Sequence, residues 1–282
     1  MPLSPTASGC SRFYETVNIN PCQGALYVAN HRFVDFKGKR VLVSGASSGI
    51  GRAICIALSR CGAGLILVGR DRQRLLETAG QLETTDYHIF EQDLSNNREI
   101  EPKLKAIIKE TGRIYGLCHS AGVVDTRPLN VIRQQNLFHL LDVHLLAGIE
   151  MARVVCRRDV MEGKGGALLF VSSIYGRVGI AGQIGYSASK GAVVAAARSM
   201  AVELARRNIR VNTLSPGFVK TPMTDEALKL LSEEQRKKIW DSHPLGILTP
   251  EDAARAAVFL LAPENKRITG IDLVVDGGYT AQ

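Results

Sequence analysis

Residues 40–51 read RVLVSGASSGIG. The short apolar run ends in glycines at 45, 49 and 51, and the next stretch, IGRAICIALSRCG (50–62), takes up the apolar spacing of a helix. A strand that passes through a glycine-rich turn straight into a helix lets an anion approach the backbone closely. The first N–H groups of the helix then point at that anion. Gly45, Gly49 and Gly51, in this strand-to-helix setting, predict a turn that holds the pyrophosphate of a dinucleotide.

Downstream the alternation repeats. GLILVG (64–69), YHIFEQD (87–93), IYGLCHSAG (114–122), ALLFVSS (167–173), IRVNTLSPG (209–217) and IDLVVDGG (271–278) read as strands. Helices are expected over 71–83, 96–111, 131–162, 185–207 and 250–262. The strands are continuous apolar runs, the pattern of a parallel sheet covered by helices on both faces. The fold expected is a single doubly wound α/β domain of Rossmann type over residues 37–282. Residues 1–36 fall outside the pattern and are expected to form an arm, either disordered or packed on the body or on a neighbour.

Composition narrows the function classes. The chain has 282 residues, 45% of them hydrophobic and 22% charged, which suits a soluble globular protein. No apolar run is long enough to span a bilayer. The formal charge is +8, but the basic residues are interleaved with acids, and RDRQR (70–74) and RKK (236–238) read as solvated helix faces. Nucleic-acid and membrane partners are therefore not expected. The N-terminus lacks a basic start followed by an apolar core, and the six cysteines are scattered without a CxxC pair. Both features predict reduced thiols and a cytoplasmic protein.

The residue after the second strand selects between nicotinamide cofactors. An acid at the strand end would bind a ribose hydroxyl, whereas a guanidinium suits a 2′-phosphate. The strand ends in Gly69 and is followed by Arg70, while Asp71 sits where it caps the next helix. NADP(H) is expected over NAD(H).

The chemistry centres on YSASK (186–190). Tyr186 and Lys190 are one helical turn apart, and Ser173 lies thirteen residues earlier, at the end of the fifth strand. That is the edge where the glycine turn opens and where such folds bind ligands. A phenol with a pKa near 10 is a poor acid or base at neutral pH, and a nearby ammonium lowers that value. Lys190 is thus expected to bring Tyr186 down. Ser173 can hydrogen-bond a substrate oxygen while Tyr186 protonates it. The small residues Ser187, Ala188, Ser189, Gly191 and Ala192 allow close approach to this helix.

SGASSGIG, HSAG (119–122), the Ser173–Tyr186–Lys190 spacing, LSPGFVKT (214–221) and VVDGG (274–278), in this order, resemble the short-chain dehydrogenase/reductase family. The resemblance covers about 37–282 and is as close to the 3-oxoacyl-carrier-protein reductases as to any subgroup. It implies an NADP-dependent oxidoreductase that moves a hydride between a nicotinamide and a ketone or secondary alcohol. It also implies that Lys190 binds the nicotinamide ribose and that Ser47, Ser48 and Ile50 complete the phosphate turn. Asp93 and Leu94 would lie at the adenine, Ala121 and Gly122 under the cofactor, and Pro216, Gly217, Val219 and Thr221 beside the nicotinamide. A homodimer or homotetramer through the helices around 131–162 and 185–207 is implied as well.

Three departures stand out. Ser44 replaces the family's Thr, His119 and Ser120 replace the two Asn of the NNAG turn, and His144 takes the place of the Asn that commonly holds a water in a proton relay. His144 is either a fourth catalytic residue or a packing residue within its helix. The amphipathic segment 222–246, with Leu228, Leu230, Leu231, Ile239 and Trp240, matches the family's substrate lid. Lys164 and Arg207 lie near positions where the carrier-protein enzymes carry docking residues. The expected substrate is an acyl group on a carrier. A keto-sugar or other small carbonyl is the alternative substrate, and a non-catalytic NADP-binding regulator is the alternative class.

Overall fold

The computed structural model describes residues 27–28, 31–32, 34–229 and 231–282. The call for an N-terminal arm falls mostly outside these residues. The parts described, Tyr27–Val28 and His31–Arg32, pair antiparallel. Leu230 of the predicted lid also lies outside the described residues.

Seven parallel strands form the main sheet: β1 (Arg40–Ser44), β2 (Gly64–Gly69), β3 (Tyr87–Glu91), β4 (Gly116–His119), β5 (Gly166–Val171), β6 (Ile209–Pro216) and β7 (Asp272–Val275). Their spatial order is β3-β2-β1-β4-β5-β6-β7. The order reverses between β1 and β4, so the crevice at the C-terminal ends of those two strands is a topological switch point. The doubly wound parallel sheet read from the sequence is the fold observed.

Side chains alternate across each strand and build a core on both faces. Val41, Val43, Leu65 and Leu67 join Ile54, Leu58 and Ala257 on one side. Leu42, Ile66 and Val68 join Leu104, Met151 and Val193 on the other. On the first face α1 (Gly49–Arg60) packs beside the last long helix of the fold, Pro250–Leu261. Arg210 of β6 is buried, and its guanidinium donates to the carbonyls of Leu260, Leu261 and Ala262 at 2.6–3.1 Å. A buried charge is tolerated there because a helix C-terminus supplies the acceptors.

After α1 come α2 (Arg72–Ala79) and α3 (Ile100–Thr111). The helix expected over 131–162 is shorter and interrupted. It consists of α4 (Gln134–Leu141), a π-helical turn at Asp142–Leu146, and α5 (Ala147–Val155). α6 (Ile184–Leu204) carries Tyr186 and Lys190. The segment expected to be a lid forms α7 (Pro222–Lys229) and α8 (Glu233–Asp241), the second closed by a Ser232–Gln235 capping box. The helix Pro250–Leu261 is α9.

Candidate active site

The glycine turn after β1 is shaped by close contacts that a side chain would prevent. Gly45 has φ +71°, and a Cβ there would sit 2.8 Å from the backbone N of Ala121. A Cβ on Gly51 would fall 2.2 Å from the carbonyl oxygen of Gly45. At Gly49, φ +51°, a Cβ would lie 3.2 Å from Cγ2 of Thr221. The N-cap of α1, Ser48, makes no side-chain capping bond, and the first turn holds no acid. That helix end is therefore open to an anion.

The turn opens into a groove of roughly 600 Å³ at the switch point. Of the residues predicted to bind a cofactor, Gly45, Ser47, Ser48, Gly49, Ile50, Gly51, Arg70, Asp93, Leu94, Ala121, Gly122, Tyr186, Lys190 and Thr221 line it. Pro216, Gly217 and Val219 do not form its wall. Gly217 abuts Asp276, and Val219 is buried in a bridge to Leu248. The groove also takes in Arg74, Gln92, His139, Met223 and Glu226, which the sequence reading missed. Arg74 had a signal, since it lies one helical turn after Arg70. Arg70 and Arg74 are both exposed at the groove. Asp71 also lines the groove, and its carboxylate accepts the backbone N–H of Arg74 at 3.1 Å as the cap of α2. The glycine cradle, the acid-free helix end and the two exposed arginines fit a dinucleotide.

Tyr186 and Lys190 line this groove, and Ser173, which is not part of its wall, hydrogen-bonds Tyr186. Ser173 follows β5, is 8% exposed, and accepts the backbone N–H of Tyr175 at 3.2 Å. α6 comes close because Gly176 and Gly191 face each other: a Cβ on Gly176 would lie 3.0 Å from Gly191 N. Lys190 is buried, and its Nζ donates to the carbonyl of Val171 at 2.9 Å. Its ammonium lies 5.7 Å from the centre of the Tyr186 ring. Burial pulls the Lys190 pKa down to about 8.

Tyr186 departs from expectation. Its pKa is raised, because burial outweighs the hydrogen bond with Ser173 that acts in the opposite direction. The expected lowering by Lys190 is not found: burial is the larger effect on the phenol, and the Lys190 ammonium donates to the Val171 carbonyl.

Both histidines that depart from the family pattern are buried, at 1% exposure each. His119 Nε2–H donates to the carbonyls of Val143 and His144 at 3.0 and 3.1 Å, inside the π turn. Its Nδ1 therefore accepts the hydroxyl of Ser44 at 2.8 Å. Ser44 Oγ in turn accepts the N–H of Ala121 at 3.3 Å. His144 Nε2 accepts the N–H of Val123 at 2.9 Å, and its Nδ1–H donates to Ser189 Oγ at 2.8 Å. Burial, followed by the charge of Lys190, lowers the pKa of His119 to about 4 and of His144 to about 2.

No group of three or more metal-ligating side chains occurs among the described residues, and none of the described helices is long and apolar enough to cross a membrane. Lys164 and Arg207 stand before β5 and β6, at the opposite edge of the sheet from Tyr186. Six strand residues at ~3.3 Å each put them roughly 20 Å from the groove within one protomer.

Comparison with known proteins agrees with this geometry. The family model described as "Enoyl-(Acyl carrier protein) reductase" matches residues 45–280. The chain is 33% identical over 246 residues to the 3-oxoacyl-[acyl-carrier-protein] reductase FabG of Rickettsia prowazekii, covering 87% of this chain and 98% of that protein. It is 36% identical over 237 residues to the human 3-oxoacyl-[acyl-carrier-protein] reductase, covering 84% and 95%. A crystal structure of a Sinorhizobium meliloti protein assigned to the short-chain alcohol dehydrogenases superposes with a TM-score of 0.82 at 29% identity, over 88% of this chain and 98% of that one. With fold, groove and comparisons in agreement, the chain belongs to the short-chain dehydrogenase/reductase family and is an oxidoreductase acting on C=O and CH–OH groups.

Proposed function

We propose that this protein is an NADP(H)-dependent reductase of 3-oxoacyl groups carried as thioesters on an acyl carrier. The observation that carries the reading is that Tyr186, hydrogen-bonded to Ser173 and flanked by Lys190, lines the groove into which the glycine turn opens. When bound, the nicotinamide supplies the hydride. Ser173 holds the carbonyl oxygen by a hydrogen bond, and Tyr186 passes its phenolic proton to that oxygen. The phenol is protonated at neutral pH, as a proton donor must be, while its raised pKa makes it a weaker acid than a free phenol. Lys190 keeps a positive charge beside the phenol and reaches the ribose. Arg70 and Arg74 bind the 2′-phosphate.

The acyl-carrier assignment draws on the relatives' names and on the family model, all of which refer to acyl carriers. Lys164 and Arg207 give it no support within one protomer, since they stand at the far edge of the sheet. Exposed Phe138, Leu146, Ile149 and Val202 lie on the helices around 131–162 and 185–207, where we place a homo-oligomer contact. Cys118 and Cys156 are buried thiols with pKa values pushed by burial to about 12 and 11.

A panel of NADPH-dependent reductions tests the substrate. A 3-oxoacyl thioester should turn over best, ahead of a 2-enoyl thioester and a keto-sugar. Preference for the keto-sugar would overturn the acyl assignment. Tight NADPH binding with no turnover of any carbonyl would make the chain a cofactor-binding regulator.

A further inference from the structure

His144 makes two contacts that reach Tyr186 and a third to the groove wall. Its Nδ1–H donates to Ser189 Oγ, and that hydroxyl donates to the backbone carbonyl of Tyr186 at 2.8 Å. Its ring meets the Tyr186 ring edge-on, with centroids 5.4 Å apart and an interplanar angle of 90°. Its Nε2 accepts the N–H of Val123, just past Ala121 and Gly122 on the groove wall. A Cβ on Gly122 would lie 3.2 Å from that Nε2 and 3.5 Å from Lys190 Nζ, so the three groups share one small space.

The hydrogen bonds fix the imidazole. A backbone N–H can only donate, so Nε2 carries no proton, and Nδ1 carries the one that Ser189 accepts. Both nitrogens are thus engaged by protein atoms. The backbone of His144 is held too, because the π turn offers its carbonyl and that of Val143 to His119 Nε2–H. Gly148 makes room for this second histidine, since a Cβ there would come within 2.8 Å of His119 Cδ2.

We propose that His144 is a positioning residue: it ties the groove loop at Val123 to helix α6 through Ser189 and sets the ring of Tyr186, without taking or giving a proton. Sequence reading alone allowed a proton relay or a packing role. The bonding of both nitrogens leaves no ring atom for a relay water, and the contact with Tyr186 gives the residue more than a packing role. The inference rests on Tyr186 being the proton donor.

The test has one arm independent of activity. Nitrogen-15 NMR of the imidazoles in the unaltered protein should show His144 protonated at Nδ1, bare at Nε2, and unchanged from pH 8 to pH 5. The charged and titratable groups facing it, Lys190, His119 and His139, disfavour the imidazolium. A proton on Nε2, or titration in that range, would overturn the proposal whether or not the protein reduces any carbonyl. The second arm compares variants at saturating NADPH. His144→Phe keeps a ring against Tyr186 and loses both hydrogen bonds, and kcat should fall about tenfold, the scale of one or two lost bonds. His144→Gln can restore the Val123 bond and His144→Asn the Ser189 bond, so each should recover part of the loss. A relay role would be recovered by the family's residue, Asn, and not by Gln, so recovery in His144→Asn with none in His144→Gln would overturn the proposal, as would equal kcat values in all three. So would a kcat in His144→Phe within twofold of the unaltered protein. If His144→Phe does not fold, Ser189→Ala replaces it, with a several-fold fall in kcat expected and no change contradicting the account. Absence of turnover in the unaltered protein would refute the proposed function and leave the NMR arm standing.

Discussion

Lys190 Nζ donates to the carbonyl of Val171 at 2.9 Å, so the ammonium is anchored to the end of β5 while it flanks the Tyr186 ring at 5.7 Å. This places a buried cation with a pKa of about 8 beside the half-buried Tyr186, whose phenol pKa is raised. Lys190 carries its charge below about pH 8 and loses it above. The reduction rate kcat/KM, which reports groups of the free enzyme, should therefore fall as pH rises through about 8. A profile flat from pH 7 to 9.5 would contradict a role for the Lys190 charge.

Arg70 and Arg74 should make the protein discriminate for NADP(H). Arg70→Asp is expected to weaken NADPH binding at least tenfold more than NADH binding, and Arg74→Ala to do the same to a smaller degree. Isothermal titration with both cofactors measures this directly. Equal losses for the two cofactors would remove both arginines from the 2′-phosphate site.

The glycine turn should not tolerate a side chain. In Gly51→Ala the new Cβ would fall 2.2 Å from the carbonyl oxygen of Gly45, so the turn has to open. Loss of measurable dinucleotide binding, with most of the fold retained by circular dichroism, is the expected outcome. Unaltered NADPH affinity would show that the turn is not the phosphate cradle.

The buried histidines should make the fold sensitive to acid. The folded-state pKa values, about 4 for His119 and about 2 for His144, lie below the ordinary 6.5, so the unfolded chain binds protons first as pH falls. The stability these neutral histidines contribute is fully present above pH 6.5 and is lost progressively below it. Between pH 6.5 and 5 the loss is about 2 kcal/mol per histidine. Urea unfolding at the two pH values tests this. His144→Gln, which does not titrate, should show a smaller difference between them.

Much of this molecule is legible in the sequence, for physical reasons that also explain the failures. Val41, Leu42, Val43 and Leu65–Val68 are apolar on both faces because helices cover both, and this alone marks a parallel sheet. Glycines 45 and 51 are legible because a Cβ at either would meet backbone, and Gly49 because its φ is positive. The break at 142–146 is not, because the 3.6-residue apolar period runs through it. What creates the π turn's environment is a tertiary bond from His119, twenty-four residues before the nearest carbonyl it holds. The direction of the Tyr186 pKa was missed for a similar reason. Spacing puts Lys190 beside the phenol but does not disclose its bond to Val171 or the depth of burial. Arg74 reaches the groove only because α2 follows β2 without delay.

The central claim is that Tyr186 donates the proton that completes reduction of a 3-oxoacyl thioester by NADPH. The most direct measurement compares the unaltered protein with Tyr186→Phe on such a substrate, following NADPH consumption and the 3-hydroxyacyl product together. The account predicts steady turnover in the unaltered protein and at least a thousandfold loss, on the order expected when a general acid is removed, in Tyr186→Phe, with NADPH affinity within about twofold. Turnover retained in Tyr186→Phe, or its absence in the unaltered protein, would contradict it.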